Sequence, residues 1–329
     1  MVSVEMSELL SLRHLLACPG CRGDLDEQDR QYTCTSCGLV WPIVDGIPVF
    51  VGPGLFDHDE LDHVAAERRH GDSTDGDPHK AEQAAYFDRE ALAEFEIERP
   101  AGTPSLYQFL LAEKFRRATQ ALGDRFDCWT ALTVCGGSGM DAEFLARAGA
   151  SVISSDISLG AARRSRERAR RHGISLVSIV ADVEHLPFRD RSVDLVYVHD
   201  GLHHLVDPEV GLAEMARVAA RGLSITEPAR AAVTKLAVRL GLARSREESG
   251  NLVARLDPTA VEANLRKAGF VVVRAERYAM YYRHQPGWVF AFLSRRLLLD
   301  LVTTGWRAAN LVVGPLGNKL AIVAERRGR

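Results

Sequence analysis

The chain has 329 residues, 46% hydrophobic and 26% charged, with a net charge of −3. This is ordinary globular composition, long enough for one large core and a small module. It excludes a global basic field for holding a polyanion, and no uninterrupted apolar stretch is long enough to span a bilayer.

The first sixteen residues are broken by Glu5, Glu8 and Arg13 and do not read as a signal peptide, so a cytoplasmic location is the expectation. "CPGC" at Cys18–Cys21 and "CTSC" at Cys34–Cys37 are two Cys-x-x-Cys knuckles, each presenting two thiolates. Four thiolates in a reducing compartment suit zinc held by Cys18, Cys21, Cys34 and Cys37; two disulfides are the alternative. "QYTC" and "VWPIVDGIPVF" read as short strands around the ion. Residues 1–56 carry three arginines against seven acids, a net −4, which is the wrong sign for a phosphate-binding surface. Nucleic acid is therefore an unfavoured partner, and the module is expected to be structural or to dock on the larger domain or a partner. In "LLACPGCRGDL" and "CTSCGLVWPIVDGIPVF", and in their order, this module resembles the zinc-ribbon protein that activates several tRNA and protein methyltransferases.

Residues 57–125 are expected to be a linker and helical lid. "HGDSTDGDPHK" reads as a loop, "AEQAAYFDREALAEFEIERP" as a helix ending at Pro100, and "SLYQFLLAEKFRRATQAL" as an amphipathic helix that carries Tyr107. From residue 126 to 329 strands and helices alternate. The expected strands are "ALTVC", "SVISSD", "LVSIVAD", "VDLVYVHD", "RGLSITEP", "VVVRAERYAM" and "NKLAIVAERR". The fold class expected is α/β: a Rossmann-like, mainly parallel sheet with an antiparallel edge strand, plus the small N-terminal zinc ribbon. The arginine-rich helix "GAARRSRERARRHG" reads as a solvated face, since no aromatic residues interleave with its six arginines.

The glycine turn "VCGGSGMD", the acid ending "SVISSD", "ADVEHLPF" and the block "RDRSVDLVYVHDGLHHLVDPEVGLAEMARV" occur in order and register. On these motifs, residues 129–327 resemble the class I S-adenosylmethionine-dependent methyltransferases, in the group that contains ubiquinone and menaquinone biosynthesis enzymes. The family's first motif, acid-x-Gly-x-Gly-x-Gly, falls here on Thr133, Cys135, Gly137 and Gly139. The acid is replaced by Thr133 and the first glycine by Cys135, and Gly136 is expected to restore the lost backbone freedom. The resemblance implies that Cys135, Gly136, Gly137 and Gly139 cradle the cofactor. It implies that Asp156, followed by Ile157, holds the ribose, that Asp182 meets the adenine amino group, and that the Val183 N–H meets a ring nitrogen.

"HDGLHH" ends the fourth strand of that domain, beside the expected place of the cofactor methyl. His199 is the candidate base or hydrogen-bond partner, also expected against the cofactor, with Asp200 orienting it or binding the acceptor. His204 is a further catalytic candidate, His203 an acceptor-binding one, and Glu227 a weaker alternative. The C-terminal insertion 277–315 contributes Tyr281, Tyr282 and Trp288, which with Tyr107 are expected to form aromatic walls for the acceptor. Its apolar helical stretch is expected to pack or to form a homodimer. The function expected is methyl transfer to a small aromatic or apolar molecule. An RNA methyltransferase, or a scaffold that kept the fold without catalysis, are the alternatives.

Overall fold

The computed structural model describes residues 12–28, 30–52, 55, 77–89, 103–123, 125–229, 239, 256–281 and 287–328. They fall in two compact units, Met1–Ala91 with Arg125–Leu223, and Leu92–Asp124 with Ser224–Arg329.

The first unit opens with the cysteine module. Its strands are β1 (Leu25–Gln28), β2 (Gln31–Cys34), β3 (Val40–Val44) and β4 (Ile47–Phe50), each antiparallel to the next. Asp45 and Gly46 join β3 to β4 with φ of 52° and 80°. Two left-handed residues in a two-residue loop match the twist of the flanking strands, which is why Asp-Gly serves there. The polar sequence "LDEQ" of β1 gave no strand signal; it is a strand because β2 pairs with it. Strand β4 then runs parallel to β7 (Leu176–Ala181), with Val49 opposite Val180 and Phe50 opposite Ala181. The small module is therefore continuous with the larger sheet.

Beyond β7 lie β6 (Ser151–Asp156), β5 (Thr130–Val134), β8 (Val193–His199) and the first half of β9 (Ala219–Pro228). The pairs β7–β6, β6–β5 and β5–β8 are parallel. Strands β5, β7 and β8 are almost wholly buried, as both faces of a parallel sheet must be, and so read as mainly apolar runs. The helices between them start and stop where their end residues dictate. Helix α4 (Leu159–His172) is capped by Ser158, whose side chain accepts from Ala161 N, and ends at Gly173 with φ of 60°. Helix α5 (Pro208–Val218) has Asp207 as cap and Pro208 in its first turn. Helix α3 (Met140–Arg147) begins directly on the glycine turn. Helix α1 (Pro78–Arg89) starts inside the stretch expected to be a loop: Pro78, His79 and Lys80 form its first turn.

The second unit contains helix α2 (Ser105–Thr119) and the remainder of β9. It also has α6 (Pro258–Lys267), β10 (Phe270–Tyr278), α7 (Trp288–Leu293), α8 (Arg296–Val313) and β11 (Lys319–Arg326). Its strand order is β9-β11-β10, and β11 is antiparallel to β10. The insertion packs through Leu110, Tyr278, Met280 and Ala321, with Phe109, Phe290 and Trp306 against them. Backbone at Ala279 and Met280 is held by side chains: Asn310 bonds both polar groups of Ala279, and Asn318 both of Met280. Among the described residues no helix is long and apolar enough to cross a membrane.

Candidate functional site

The glycine turn follows β5. Cys135 adopts a left-handed φ of 51°, a conformation that costs a side-chain-bearing residue about 1 kcal/mol or more. Gly136 has no positive φ, so it does not supply the freedom expected of it. Its lack of a side chain serves another purpose. A Cβ there would lie 2.6 Å from Ser154 Oγ and 3.3 Å from the Ser155 carbonyl, whereas Gly136 N donates to that carbonyl at 2.9 Å. Gly137 and Gly139 are left-handed, at 53° and 82°; a Cβ on Gly139 would meet Ser165 Oγ at 2.5 Å.

Asp156 ties this turn to the end of β6. Its two carboxylate oxygens accept from Gly137 N at 2.9 Å and Ser158 N at 3.0 Å. Burial pushes the Asp156 carboxyl above its ordinary range, against the lowering effect of those two N–H groups. Ile157 packs on the apolar cluster of Ile47, Val49, Leu159 and Val180. Asp182, after β7, caps a short turn that contains the buried Val183; its Oδ1 accepts from Glu184 N at 2.9 Å.

The other oxygen of Asp182 is taken by Lys80, a residue the sequence did not single out. Lys80 Nζ lies 2.6 Å from both Asp182 Oδ2 and Glu184 Oε2, and the three side chains are 8%, 1% and 8% exposed. Burial alone would lower the Lys80 ammonium, but the two carboxylates outweigh it and hold it above its ordinary range. The far end of α1 is anchored as well. Asp88 Oδ1 accepts from Ser158 Oγ at 2.6 Å and Gly160 N at 2.7 Å. Helix α1 thus bridges the loops after β6 and β7.

The arginine-rich helix is a solvated face only in part: Arg170 and Arg171 are exposed, while the other four arginines are engaged. Arg168 is buried, donating to Ser138 O at 2.8 Å and pairing with Glu143 at 2.9 Å. Arg164 donates to Phe87 O of α1, Arg163 pairs with Asp45 at 2.7 Å, and Arg166 donates to Asp45 O. Buried and semi-buried guanidinium groups here bind the glycine turn, α1 and the β3–β4 loop to one helix.

At the end of β8, His199 Nδ1 lies 2.8 Å from Asp141 Oδ2 and Nε2 lies 3.1 Å from Asp200 Oδ2. Tyr197 Oη donates to Asp141 Oδ1 at 3.2 Å. Asp141 was missed in the sequence; its signal is an acid in the first turn of the helix that leaves the glycine turn. Gly201 abuts that turn, since a Cβ on it would fall 2.4 Å from Cys135 Cβ. His203 is buried, its ring 4.2 Å from that of His204. His204 Nδ1 contacts Gln83 Oε1 at 3.2 Å, and its carbonyl lies 3.0 Å from His79 Nε2, so His204 sits under α1.

The expected aromatic walls lie in the second unit. Tyr107 is fully buried in α2, Tyr281 and Trp288 are exposed, and Glu227 is buried in β9. Tyr282 lies outside the described residues.

In the cysteine module the four sulfurs lie within 4.8 Å of one another, with Cys18 to Cys37 at 3.8 Å and Cys21 to Cys34 at 3.4 Å. A tetrahedral ion with bonds of about 2.3 Å separates its sulfurs by about 3.8 Å, so the set fits a zinc site of four thiolates. None of the four is in a disulfide. The module is held to the domain by Arg189–Asp24 at 2.6 Å, Arg22–Glu214 at 3.2 Å and backbone bonds from Ala17 to Pro187 and from Arg189 to Leu15.

Residues 132–225 match the family described as methyltransferase domain, and residues 10–46 match the Trm112p-like protein family. Demethylmenaquinone methyltransferase of Thermobifida fusca (strain YX) is 37% identical over 107 residues, 32% of this chain and 44% of that protein. The enzyme of the same name from Corynebacterium urealyticum is 39% identical over 114 residues, 34% of this chain and 45% of that protein. The chain spans less than half the length of these curated relatives. Magnesium protoporphyrin IX methyltransferase from Synechocystis PCC 6803, solved with bound SAH, shares the fold with a TM-score of 0.51 at 15% identity, covering 76% of this chain and 100% of that one. Residues 132–225 thus match a methyltransferase domain and share the fold of a solved methyltransferase, preceded in the same chain by a segment, residues 10–46, that matches the Trm112p-like family.

Proposed function

We propose that this protein transfers the methyl group of S-adenosylmethionine to a small, largely apolar organic acceptor. The observation that carries this most is the convergence of the Gly137–Gly139 turn, Asp156, Asp182 and the His199–Asp200 pair at the carboxyl ends of adjacent strands, where this kind of sheet binds its ligands. When bound, the cofactor supplies an electrophilic sulfonium methyl. The residues that would hold it are Gly137 and Gly139 by close backbone approach, Asp156 at the ribose, and Asp182 with Val183 at the adenine. Cys135 and Gly136 belong to the same turn, and Ile157 follows Asp156 at the end of β6. Asp182 would receive the adenine amino group only if Lys80 shares or yields its carboxylate. The names of the demethylmenaquinone relatives support a reduced, quinone-like acceptor. Calorimetric titration with S-adenosylmethionine, followed by transfer of labelled methyl to a reduced naphthoquinone, tests this. Absence of cofactor binding overturns it in favour of a scaffold.

Zinc at Cys18, Cys21, Cys34 and Cys37 belongs to the same reading, as a structural ion that holds the module on the sheet edge. A second copy of the chain is the partner that α8 supports. Leu297, Leu301 and Leu311 are 86%, 70% and 86% exposed, and with Thr304 and Ala308 they recur at helical spacing opposite the packed Thr303, Trp306 and Asn310. An antiparallel pair of α8 helices crossing at Thr304 sets this face against itself, the self-complementarity a two-fold interface requires.

A further inference from the structure

Helix α1 is fastened to the domain at both ends, and the two fastenings differ. At its end, Asp88 Oδ1 accepts from Ser158 Oγ at 2.6 Å and from Gly160 N at 2.7 Å. A Cβ on Gly160 would lie 2.9 Å from Asp88 Cα, so the close approach of the two backbones there requires glycine. Arg164 adds a bond to Phe87 O. At its start, the helix is held through the Lys80 ammonium, 2.6 Å from Asp182 Oδ2 and 2.6 Å from Glu184 Oε2. Between the two, the side chains that α1 places in the apolar cluster of Val49, Leu159 and Val180 are those of Ala81 and Ala84. Two methyl groups bury little apolar surface, so the start of the helix depends on its polar contacts.

The partners of Asp182 are unequal. Its Oδ1 accepts from Glu184 N within its own short turn, a bond that no movement of α1 disturbs. Its Oδ2 is taken by Lys80, from an element 102 residues away. Glu184 also keeps a partner of its own, because Oε1 accepts from Asp207 N at 2.7 Å. Lys80 can therefore leave without undoing the turn, and an ammonium that leaves regains its hydration. Asp182 is 1% exposed, so a ligand reaches it only when the group that covers it moves. An adenine amino group is an N–H donor like the ammonium and suits the same carboxylate oxygen.

We infer that Lys80 is an intrachain competitor of the cofactor: it occupies the Asp182 oxygen that the adenine amino group needs, and the start of α1 lifts about the anchored Asp88 end before the cofactor seats. This rests on the S-adenosylmethionine reading above and adds an autoinhibitory contact to it. The lift also parts His79 Nε2 from His204 O, 3.0 Å away, and Gln83 Oε1 from His204 Nδ1, 3.2 Å away. Apparent affinity is the intrinsic affinity reduced to the fraction of molecules that are unlatched. The ion pairs that stabilise the latched domain thus weaken cofactor binding. Removing the ammonium should lower stability and raise affinity together. A residue that only supports the corner of the site would move both downwards.

Two measurements on the full chain test this, with S-adenosylhomocysteine, the demethylated cofactor, as the probe. In calorimetric titration, Lys80→Met should bind it at least about tenfold more tightly than the wild type, the gain expected when the latch is closed about nine-tenths of the time. Weaker or unchanged binding overturns the competition. The second measurement uses the wild-type protein and so does not depend on how the variant folds. Saturation with S-adenosylhomocysteine should speed amide exchange in Ala81–Ala84 and leave Phe87 and Asp88, at the anchored end, as protected as before. Slower or unchanged exchange in Ala81–Ala84 would show that α1 stays closed over the bound cofactor, and the latch falls. Failure of the cofactor reading looks different: neither the wild type nor Lys80→Met then binds S-adenosylhomocysteine, whereas binding with equal affinity removes the latch alone.

Discussion

Lys80→Met separates α1 as a structural strap from α1 as a bystander. Lys80 holds one ammonium between two carboxylates, each at 2.6 Å, with all three side chains at most 8% exposed. Methionine keeps most of the volume and removes the charge, so what changes is electrostatic. Breaking a buried ion pair by deleting one partner costs about 3–5 kcal/mol, because the remaining charge stays buried without compensation. For a cooperative unit of roughly 200 residues, about 2–4 °C is lost per kcal/mol, giving a fall in Tm of about 6–20 °C at pH 7. Differential scanning calorimetry measures it. The partners left behind are Asp182, still accepting from Glu184 N, and Glu184, still accepting from Asp207 N at 2.7 Å. Adding Glu184→Gln to Lys80→Met should therefore recover part of the loss, since one buried charge is then neutralised. The pH dependence has a definite sign. Because Lys80 is held above its ordinary range, its contribution is complete at neutral pH and disappears only as pH rises through that raised value, in strongly alkaline solution. A Tm within about 1 °C of wild type for Lys80→Met would show that α1 does not close this corner in solution.

Other substitutions probe the turn, Asp156 and the α8 face. Asp156→Ala should weaken S-adenosylmethionine binding by about 1–3 kcal/mol in calorimetry; unchanged affinity removes Asp156 from the ribose site. Burial raises the Asp156 carboxyl, so the stability it contributes is largest below the unfolded carboxylate value and is lost as pH rises through the folded one. Asp156→Asn should accordingly flatten the stability profile between acid and neutral pH in urea titrations. Cys135→Gly should stabilise the protein by about 1 kcal/mol by relieving the left-handed φ of 51°; Gly136→Ala should destabilise it by about 1–3 kcal/mol through contact with Ser154 and Ser155. A reversed order in chemical denaturation contradicts the geometry of the turn. Leu301→Asp should shift light-scattering mass from dimer to monomer, and a wild-type monomer at micromolar concentration removes α8 as an interface.

What could be read from the sequence follows from how far apart the interacting residues are. Strands β5, β7 and β8 were legible because buried parallel strands are mainly apolar, β6 (SVISSD) only through Val152 and Ile153, and the turns between them carry Gly, Ser or Asp at capping positions. The four cysteines were legible because both knuckles are local. Lys80 was not, since its partner Asp182 lies 102 residues away and nothing beside Lys80 announces it. The arginines of α4 failed in the same way. Composition counts six positive charges but does not say that Glu143, Asp45 and the end of α1 wait for four of them. The His199–Asp200 contact was open to inference from adjacency, whereas the second carboxylate, Asp141, comes from a different element 58 residues away.

These long-range contacts imply that metal at the module is felt at the cofactor side of the domain. Zinc, if bound, fixes Cys34 at the end of β2 and the knuckle that leads into β3. Strand β3 pairs with β4, and Phe50 of β4 packs on Tyr32 and Trp41 while pairing with Ala181 of β7. The loop between β3 and β4 holds Arg163 and Arg166 of α4, whose first residue follows Ser158 and the Asp156 loop. Removing the ion should release β1–β3, and the loss should spread along this route because Phe50 serves both the module and the sheet. We predict that chelation, in protein that copurifies with one zinc per chain, accelerates amide exchange in Gln31–Phe50 first and in Leu176–Ala181 next. The hairpin of β10 and β11, in the other unit, should keep its protection. S-adenosylmethionine affinity should fall together with the protection of Leu176–Ala181, because Asp182 directly follows that strand. Faster exchange confined to the module, with β7 and cofactor affinity unchanged, would mean that the shared strand pair transmits nothing and that the module is only an appendage; protein that carries no zinc when made with ample metal would remove the premise itself.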